Sequence, residues 1–288
     1  MISTACAPSG CARALRITDF DKKTLLPFFK PLEFTIAVEA LIEETSEGSL
    51  WLDDPAHPSI GLLWDFADGV YLVSKEFSES LRQTIQNLFQ KEIIPETEKR
   101  SESPILVLYA FPSQWNDYIP SIFPSGWTIS PETACFYERP VSRPDPMNSS
   151  DSLPVPFIGQ PVDSKLFTSS RLKFLPDLLE EVESDWGSLE KFLSRGYGYC
   201  VIDEKANSLA SWGVIGNIAR SCAELGIDTM KEYRRKGFAT YVTNQMISIS
   251  SRKKLTPHWY CFQNNTASVK LAKKTRLSKD SRFFGQCH

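Results

Sequence analysis

Residues 223–240, AELGIDTMKEYRRKGFAT, constrain the fold of this chain more than any other stretch. Leu225, Ile227 and Thr229 alternate along one face of an extended segment, and Tyr233 to Gly237 then break the pattern. Phe238, Ala239, Val242, Met246 and Ile249 resume it with helical spacing, so the stretch reads strand, basic turn, helix. The turn carries Arg234, Arg235 and Lys236 and then Gly237-Phe238-Ala239, the pattern [Arg/Gln]-x-x-Gly-x-[Gly/Ala] set directly ahead of a helix. Gly237 has no side chain to hold a ligand away, and Ala239 has only a methyl. The free amides of Phe238, Ala239 and Thr240, the positive end of the helix dipole and three adjacent cations together favour a phosphate or pyrophosphate. Taken alone, such a hexapeptide also fits a solvated helix start.

The surrounding chain adds context. Trp186-Gly187-Ser188 through Phe192, Gly196-Tyr197-Gly198-Tyr199-Cys200 and Ser211 lie upstream; Pro257-His258-Trp259-Tyr260-Cys261, Asn264-Asn265-Thr266-Ala267-Ser268 and Leu271-Ala272-Lys273-Lys274 lie downstream. In this order, residues 165 to 285 resemble the GNAT superfamily of acyl-CoA-dependent N-acyltransferases, in a two-domain subfamily. The resemblance implies acetyl-CoA or another acyl-CoA as co-substrate, with its pyrophosphate on Arg234, Arg235, Lys236, Gly237, Phe238, Ala239 and Thr240. It also implies a pantetheine arm bonded along Ile227, Asp228 and Thr229, with a backbone N–H there serving as oxyanion donor. Asn265 and Ser268 fall at positions that contact the arm.

A general base must take a proton from the attacking amine. Glu224 stands where several members carry a catalytic glutamate, and strand alternation puts Cys222, Glu224 and Gly226 on one face. Asp228 shares that parity and is the alternate base; the competing role for Glu224 is an ordinary packed carboxylate. Two departures stand out. Ala272 occupies the position of a common tyrosine general acid, and Arg276-Leu277 replaces a Gly-Phe pair. Tyr260, Cys261 or water can supply the proton, or the thiolate can leave unprotonated. Trp186, Tyr197, Trp212 and Trp259 are expected mainly in the core.

The fold class expected from this is α/β (α+β): tandem GNAT-like domains, each a mixed, mostly antiparallel twisted sheet flanked by helices. The boundaries are a flexible N-terminus (1–20), a degenerate first domain (21–140), a Pro/Ser-rich linker (141–163) and an acyl-CoA-binding catalytic domain (164–288). In the first domain helices are expected at 24–29, 35–43, 77–93 and 113–122, the last opened by a Ser113 cap. Strands are expected at 49–53, 60–66, 69–74, 105–110, 127–129 and 134–139. In the second, helices at 170–179 and 188–193 precede strands at 199–203, 208–215 and 221–229, with a turn at Gly216-Asn217. The first domain echoes the order of the second, yet its passage Val73-Ser74-Lys75-Glu76-Phe77-Ser78 lacks glycine and has one cation, which argues against CoA binding there.

A net charge of −3 argues against a general nucleic-acid binder, although residues 229–279 hold twelve Lys or Arg against the single acid Glu232. Seven scattered cysteines lack CxxC pairs or a disulfide framework, which points to reduced thiols and a cytoplasmic setting. Three dispersed histidines give no metal site, and no run approaches a membrane span. The expected partner is a small-molecule or peptide amine acceptor, with no nucleic acid and no membrane, for a monomer or homodimer. The expected activity is acetyl transfer to a primary amine in a ternary complex. A glycine N-acyltransferase-like conjugating enzyme is the enzymatic rival; a catalytically weak CoA-binding sensor or interaction module is the non-enzymatic one.

Overall fold

The computed structural model describes residues 15–16, 22–66, 69–100, 105–130, 132–138, 153–169, 171–279 and 286–287. Of the expected flexible residues 1–20 only 15–16 are among them, and most of the expected linker, 141–152, lies outside. The first elements are β1 (Leu15–Arg16), α1 (Ile36–Ile42), β2 (Ser49–Leu52), β3 (Ile60–Trp64), β4 (Gly69–Ser74), α2 (Glu79–Leu88), α3 (Ile94–Arg100), β5 (Val107–Phe111) and α4 (Ile119–Ile122). Then come β6 (Glu132–Glu138), β7 (Phe157–Pro161), α5 (Ser164–Ser169), α6 (Leu175–Trp186), α7 (Leu189–Arg195), β8 (Gly198–Asp203), β9 (Ser208–Ala219) and β10 (Cys222–Thr229). The chain continues with α8 (Phe238–Arg252), β11 (Thr256–Phe262), α9 (Thr266–Lys274) and β12 (Ser278–Lys279). The class is as expected: mixed α/β, with mixed sheets flanked by helices.

The chain divides into two units, and their bounds differ from the expected ones. The first takes residues 1–32, 48–131 and 287–288; the second takes 33–47 and 132–286. In the first unit the order is β1-β2-β3-β4-β5, antiparallel except for the parallel pair β4–β5. Strands β3 and β4 are buried along their whole length, as apolar runs covered on both faces must be. Helix α2 begins at Ser78, whose hydroxyl accepts from the Leu81 amide at 3.3 Å, and packs Leu81, Ile85 and Leu88 inward. It does not stop at Ile93. A π-turn at Phe89–Ile93, where the Ile94 amide donates to the Phe89 carbonyl, leads straight into α3, and Pro95 there has no N–H to continue the ladder. The expected helix at 113–122 is instead a 3₁₀ segment, Ser113–Asp117, followed by α4. Pro120 has no amide to continue the earlier turn, and Pro112, not Ser113, stands at the cap. No strand forms at 127–129.

The second unit has the strand order β6-β11-β10-β9-β8-β7, with β12 also on β6. All pairs are antiparallel except β10–β11. Three expectations are corrected here. Strand β6, expected to close the first domain, pairs with β11 from Ala134↔Phe262 to Glu138↔His258. Helix α1 also belongs to this unit: all seven of its residues are buried, and it packs on β9. Phe157–Pro161, expected as linker, pairs with β8 as edge strand β7. Proline at its end suits an edge, where no ladder donor is needed. The core gathers Leu178, Val182, Phe192, Val201, Trp212, Val214, Val242, Met246 and Trp259.

Helices cover both faces of this sheet. A side-chain carbon on Gly213 would lie 2.9 Å from Val242 and 3.1 Å from Met246, so α8 lies on that face. The adjacent Trp212 points the other way, its indole donating to Glu181 of α6 at 2.6 Å. Trp186 fixes the same helix by donating to the Ile215 carbonyl at 2.7 Å.

Candidate active site

Strands β10 and β11 run in register for three rows, Cys222↔Thr256, Ala223↔Pro257 and Glu224↔His258. They then part, although β10 continues to Thr229 and β11 to Phe262. On its other side β10 remains paired with β9 as far as Thr229↔Ser211. From Leu225 to Thr229, therefore, β10 has no strand partner on the β11 side among the described residues. An extended ligand can add to such an edge through main-chain hydrogen bonds. The pair is parallel, so the loops after both strands emerge at the same end of the sheet.

The basic loop lies at that end. Lys231–Tyr233 form a 3₁₀ turn, and Arg234 Nε turns back to donate to the Thr229 carbonyl at 3.1 Å, tying the loop to the strand. Arg235 has φ +68° and Gly237 φ +88°, the left-handed region that glycine enters without strain. A side-chain carbon on Gly237 would meet nothing within 4 Å, so space is open beside it. No side chain caps α8. Phe238 is only 2% exposed and its ring lies 4.6 Å from Phe157, anchoring the helix while the first-turn amides keep no side-chain partner. Arg235 and Lys236 are exposed; the Lys236 ammonium stands 5.0 Å from the Tyr233 ring centroid. Of the three cations, Arg234 acts as a clamp and two face solvent.

Glu224 sits where the strands part. Between Ala223 and Leu225 the β9 register shifts, so that Gly216 and Asn217 both oppose Glu224. This is a β-bulge where a turn was expected; the strand runs on to Ala219 and turns at Arg220-Ser221. The bulge aims Asn217 at the carboxylate, and Nδ2 donates to Glu224 Oε2 at 2.8 Å. The other end of the amide is held by Ser46, whose hydroxyl donates to Asn217 Oδ1 at 2.7 Å. Thr45 holds that segment down through the Ile218 carbonyl at 2.7 Å. On the other side, His258 Nδ1 lies 4.0 Å from Glu224 Oε1. Burial pushes the Glu224 carboxyl above its ordinary value, and the Asn217 bond opposes that rise.

Asp228 differs. Its side chain is exposed and Oδ1 accepts from the Thr229 amide at 2.6 Å, which leaves that N–H committed. Ser211 Oγ donates to the Asp228 carbonyl and pairs with Thr229 Oγ1, both at 2.7 Å. Ile227 points toward the α8 side, close to Gly213. Asn265 and Ser268 stand at the start of α9 but have local partners: Asn265 Oδ1 accepts from the Ser268 amide at 3.1 Å, and Ser268 Oγ accepts from the Trp259 indole at 3.0 Å.

Ala272 is fully buried, so the helix position of a general acid is part of the core. Arg276 (φ +63°) and Leu277 close α9 with amide bonds to Lys273 and Ala272 at 3.1 and 3.0 Å, a Schellman motif. Arginine thus holds a conformation that favours glycine, and buried Leu277 takes the place of the expected phenylalanine. Burial pushes the Cys200 thiol up to about 12, which removes it as a nucleophile. Trp186, Tyr197, Trp212 and Trp259 are all buried, as expected.

Four residues near Glu224 escaped the sequence reading. Ser46 and Asn217 reach it only through α1 docking and the bulge. His258 was quoted as part of a strand without a role, and its pairing with Glu224 is a register fact. Glu181 lies on α6, and no local pattern marks it. Among the described residues no group of three or more His, Cys, Asp or Glu is arranged to hold a metal ion, and no helix is long and apolar enough to cross a membrane.

Comparison with known proteins bears on all of this. Residues 26–280 match the family model described as GNAT acetyltransferase. A Bacillus subtilis (strain 168) relative, the uncharacterized N-acetyltransferase YdfB, is 22% identical over 237 residues, 82% of this chain and 84% of that protein. Among solved structures, a GCN5-related N-acetyltransferase-like protein from Streptococcus suis 89/1591 superposes with a TM-score of 0.68 at 17% identity, covering 93% of this chain and 97% of that one. A Drosophila protein gives a TM-score of 0.55 at 13% identity over 96% and 98% of the two chains.

Proposed function

This chain belongs to the GNAT acetyltransferase family, and on that premise we propose that its second unit transfers an acetyl group from acetyl-CoA to a primary amine within a ternary complex. The observation that carries the reading is the parting of β10 from β11 at Glu224, directly upstream of an uncapped helix start with open space at Gly237. The amides of Phe238, Ala239 and Thr240, with Arg235 and Lys236, receive the pyrophosphate. The edge Leu225–Thr229 receives the pantetheine arm as an added strand. Holding thioester and amine together supplies much of the rate. Glu224 takes a proton from the ammonium, directly or through water. The neutral nitrogen attacks the thioester carbonyl, the C–N bond forms, and the C–S bond breaks with CoA leaving as thiolate, which takes the second proton that the nitrogen sheds. The Thr229 amide is already committed, so the oxyanion falls to the other amides of the edge.

Glu224 is favoured over Asp228 as base, because it is largely shielded where the strands part while Asp228 is exposed and bonded to its own neighbour. Asn265 and Ser268 enter this reading as groups that hold α9 at the mouth, with Asn265 Nδ2 left for the cofactor arm. Cys135, Cys200, Cys222 and Cys261 are free thiols, which supports a cytoplasmic setting. The test is calorimetric titration of acetyl-CoA into the wild type and an Arg235→Glu/Gly237→Glu variant. Binding by the wild type and its loss in the variant support the reading; no binding by the wild type removes it. The buried Ala272 favours one rival, a CoA-binding module without turnover. An amine panel separates the two, since that module binds acetyl-CoA and leaves it unconsumed.

A further inference from the structure

Glu181 is a carboxylate to which the acyl transfer described above gives no task. Helix α6 brings it onto the face of β10 that carries Glu224, Gly226 and Asp228. Oε2 accepts from the Trp212 indole at 2.6 Å, and Oε1 accepts no hydrogen bond among the described residues. Oε1 lies over Gly226, where a side-chain carbon would come within 3.2 Å of it. A side chain at Gly226 would push this carboxylate back by a few tenths of an ångström. Burial raises the Glu181 carboxyl, the nearby Asp228 charge adds to the rise and the Trp212 bond opposes it. Among the described residues no Lys or Arg bonds to it.

A half-buried carboxylate with one oxygen open over the reacting strand is placed to accept from a ligand donor. The attacking nitrogen already has its partner, because it gives its proton to Glu224. A strand advances about 3.3 Å per residue, so Gly226 lies about 7 Å from Glu224 along the site. Resting on the acyl-transfer reading, we propose that Glu181 Oε1 binds a second, cationic nitrogen of the acceptor, so that the acceptor carries two amino groups about 7 Å apart. One is held charged at Gly226 while the other reacts at Glu224.

The Trp212 indole N–H reports on this carboxylate directly. Its NMR resonance, assigned by loss in Trp212→Phe, is followed while 1,5-diaminopentane, 1-aminopentane or 5-amino-1-pentanol is added, with and without CoA. The diamine is expected to shift it at a concentration about tenfold or more below the other two, the size of one charge-assisted hydrogen bond. Glu181→Gln keeps an acceptor for the Trp212 indole and is expected to erase the preference. In turnover with acetyl-CoA the same variant raises KM for the diamine about tenfold and leaves KM for acetyl-CoA unchanged. Equal responses to all three probes, or a diamine preference that survives Glu181→Gln, overturn the proposal. If CoA fails to bind while the diamine preference still depends on Glu181, the acyl-transfer reading fails and the cation site stands. If CoA binds and turnover ignores Glu181→Gln, this proposal alone falls.

Discussion

Asn217 sets the pH at which Glu224 can act. Its amide donates to the carboxylate and so favours the ionised form, against burial that favours the protonated one. Hydrogen bonds to charged groups are worth about 1.5–3 kcal/mol, and one pKa unit is about 1.4 kcal/mol. Asn217→Ala is therefore expected to raise the Glu224 pKa further, moving the acid limb of kcat/KM to higher pH with the plateau reached later. A 13C titration of the Glu224 carboxyl checks the same shift without any turnover. The sign for stability follows: a carboxyl whose folded pKa exceeds the ordinary 4.5 holds its proton better folded than unfolded. Its contribution to stability is then fully present below 4.5 and declines as pH rises through the folded pKa, and Asn217→Ala extends that decline upward. Ser46→Ala, which removes the hydroxyl on the other end of that amide, moves both in the same direction by less. Arg276 makes the opposite case, a residue that costs stability where it stands. It occupies the left-handed closing position of α9 at φ +63°. Arg276→Gly is expected to stabilise the protein by about 1 kcal/mol, read from the midpoint of urea unfolding.

At the scale of elements, α1 shows how a segment early in the chain becomes part of the second unit. Thr35 caps it at the Ala37 amide, every residue is buried, and Glu39, 4% exposed, pairs with Arg220, 56% exposed, in the turn after β9. Arg220→Ala leaves that carboxylate buried without its partner. The cost is expected near 2 kcal/mol, below the value for a fully buried pair because water reaches Arg220, and Arg220→Ala/Glu39→Gln recovers part of it. Comparing the two variants by thermal unfolding checks this. The same elements show what was legible beforehand. The strand, loop and helix at 223–252 could be read because their signals are local: alternation, a glycine at a left-handed position, cations in sequence. Helix α1 and strand β6 were read as elements but assigned to the wrong unit, since nothing in 35–43 or 134–139 says which sheet receives them. Asn217 was mistaken for a turn residue because Gly-Asn is a common turn pair, and only pairing with β10 turns it into a bulge. Glu181 faces Gly226 from 45 residues away in sequence, and no period reveals a meeting of that kind.

For the whole molecule, the question is how many cofactors it takes, and the two parallel strand pairs answer it differently. In the first unit β4 and β5 stay paired through five rows, from Gly69↔Val107 to Val73↔Phe111, so no edge opens for a pantetheine arm. In the second unit the corresponding pair parts after three. The helix starts differ in the same sense. Ser78 fills the N-terminus of α2 with its own hydroxyl, whereas α8 starts at Gly237 with no side-chain cap. The passage before α2 offers Lys75 where the loop before α8 offers Arg235 and Lys236 beside Arg234. One acyl-CoA per chain is therefore expected, bound at the second unit. Calorimetry should give a stoichiometry near one, unchanged by Lys75→Glu and abolished by the Arg235→Glu/Gly237→Glu pair. A stoichiometry near two, or one lowered by Lys75→Glu, would show that a zipped strand pair can still open for the cofactor, and the parting of β10 from β11 would lose its diagnostic value.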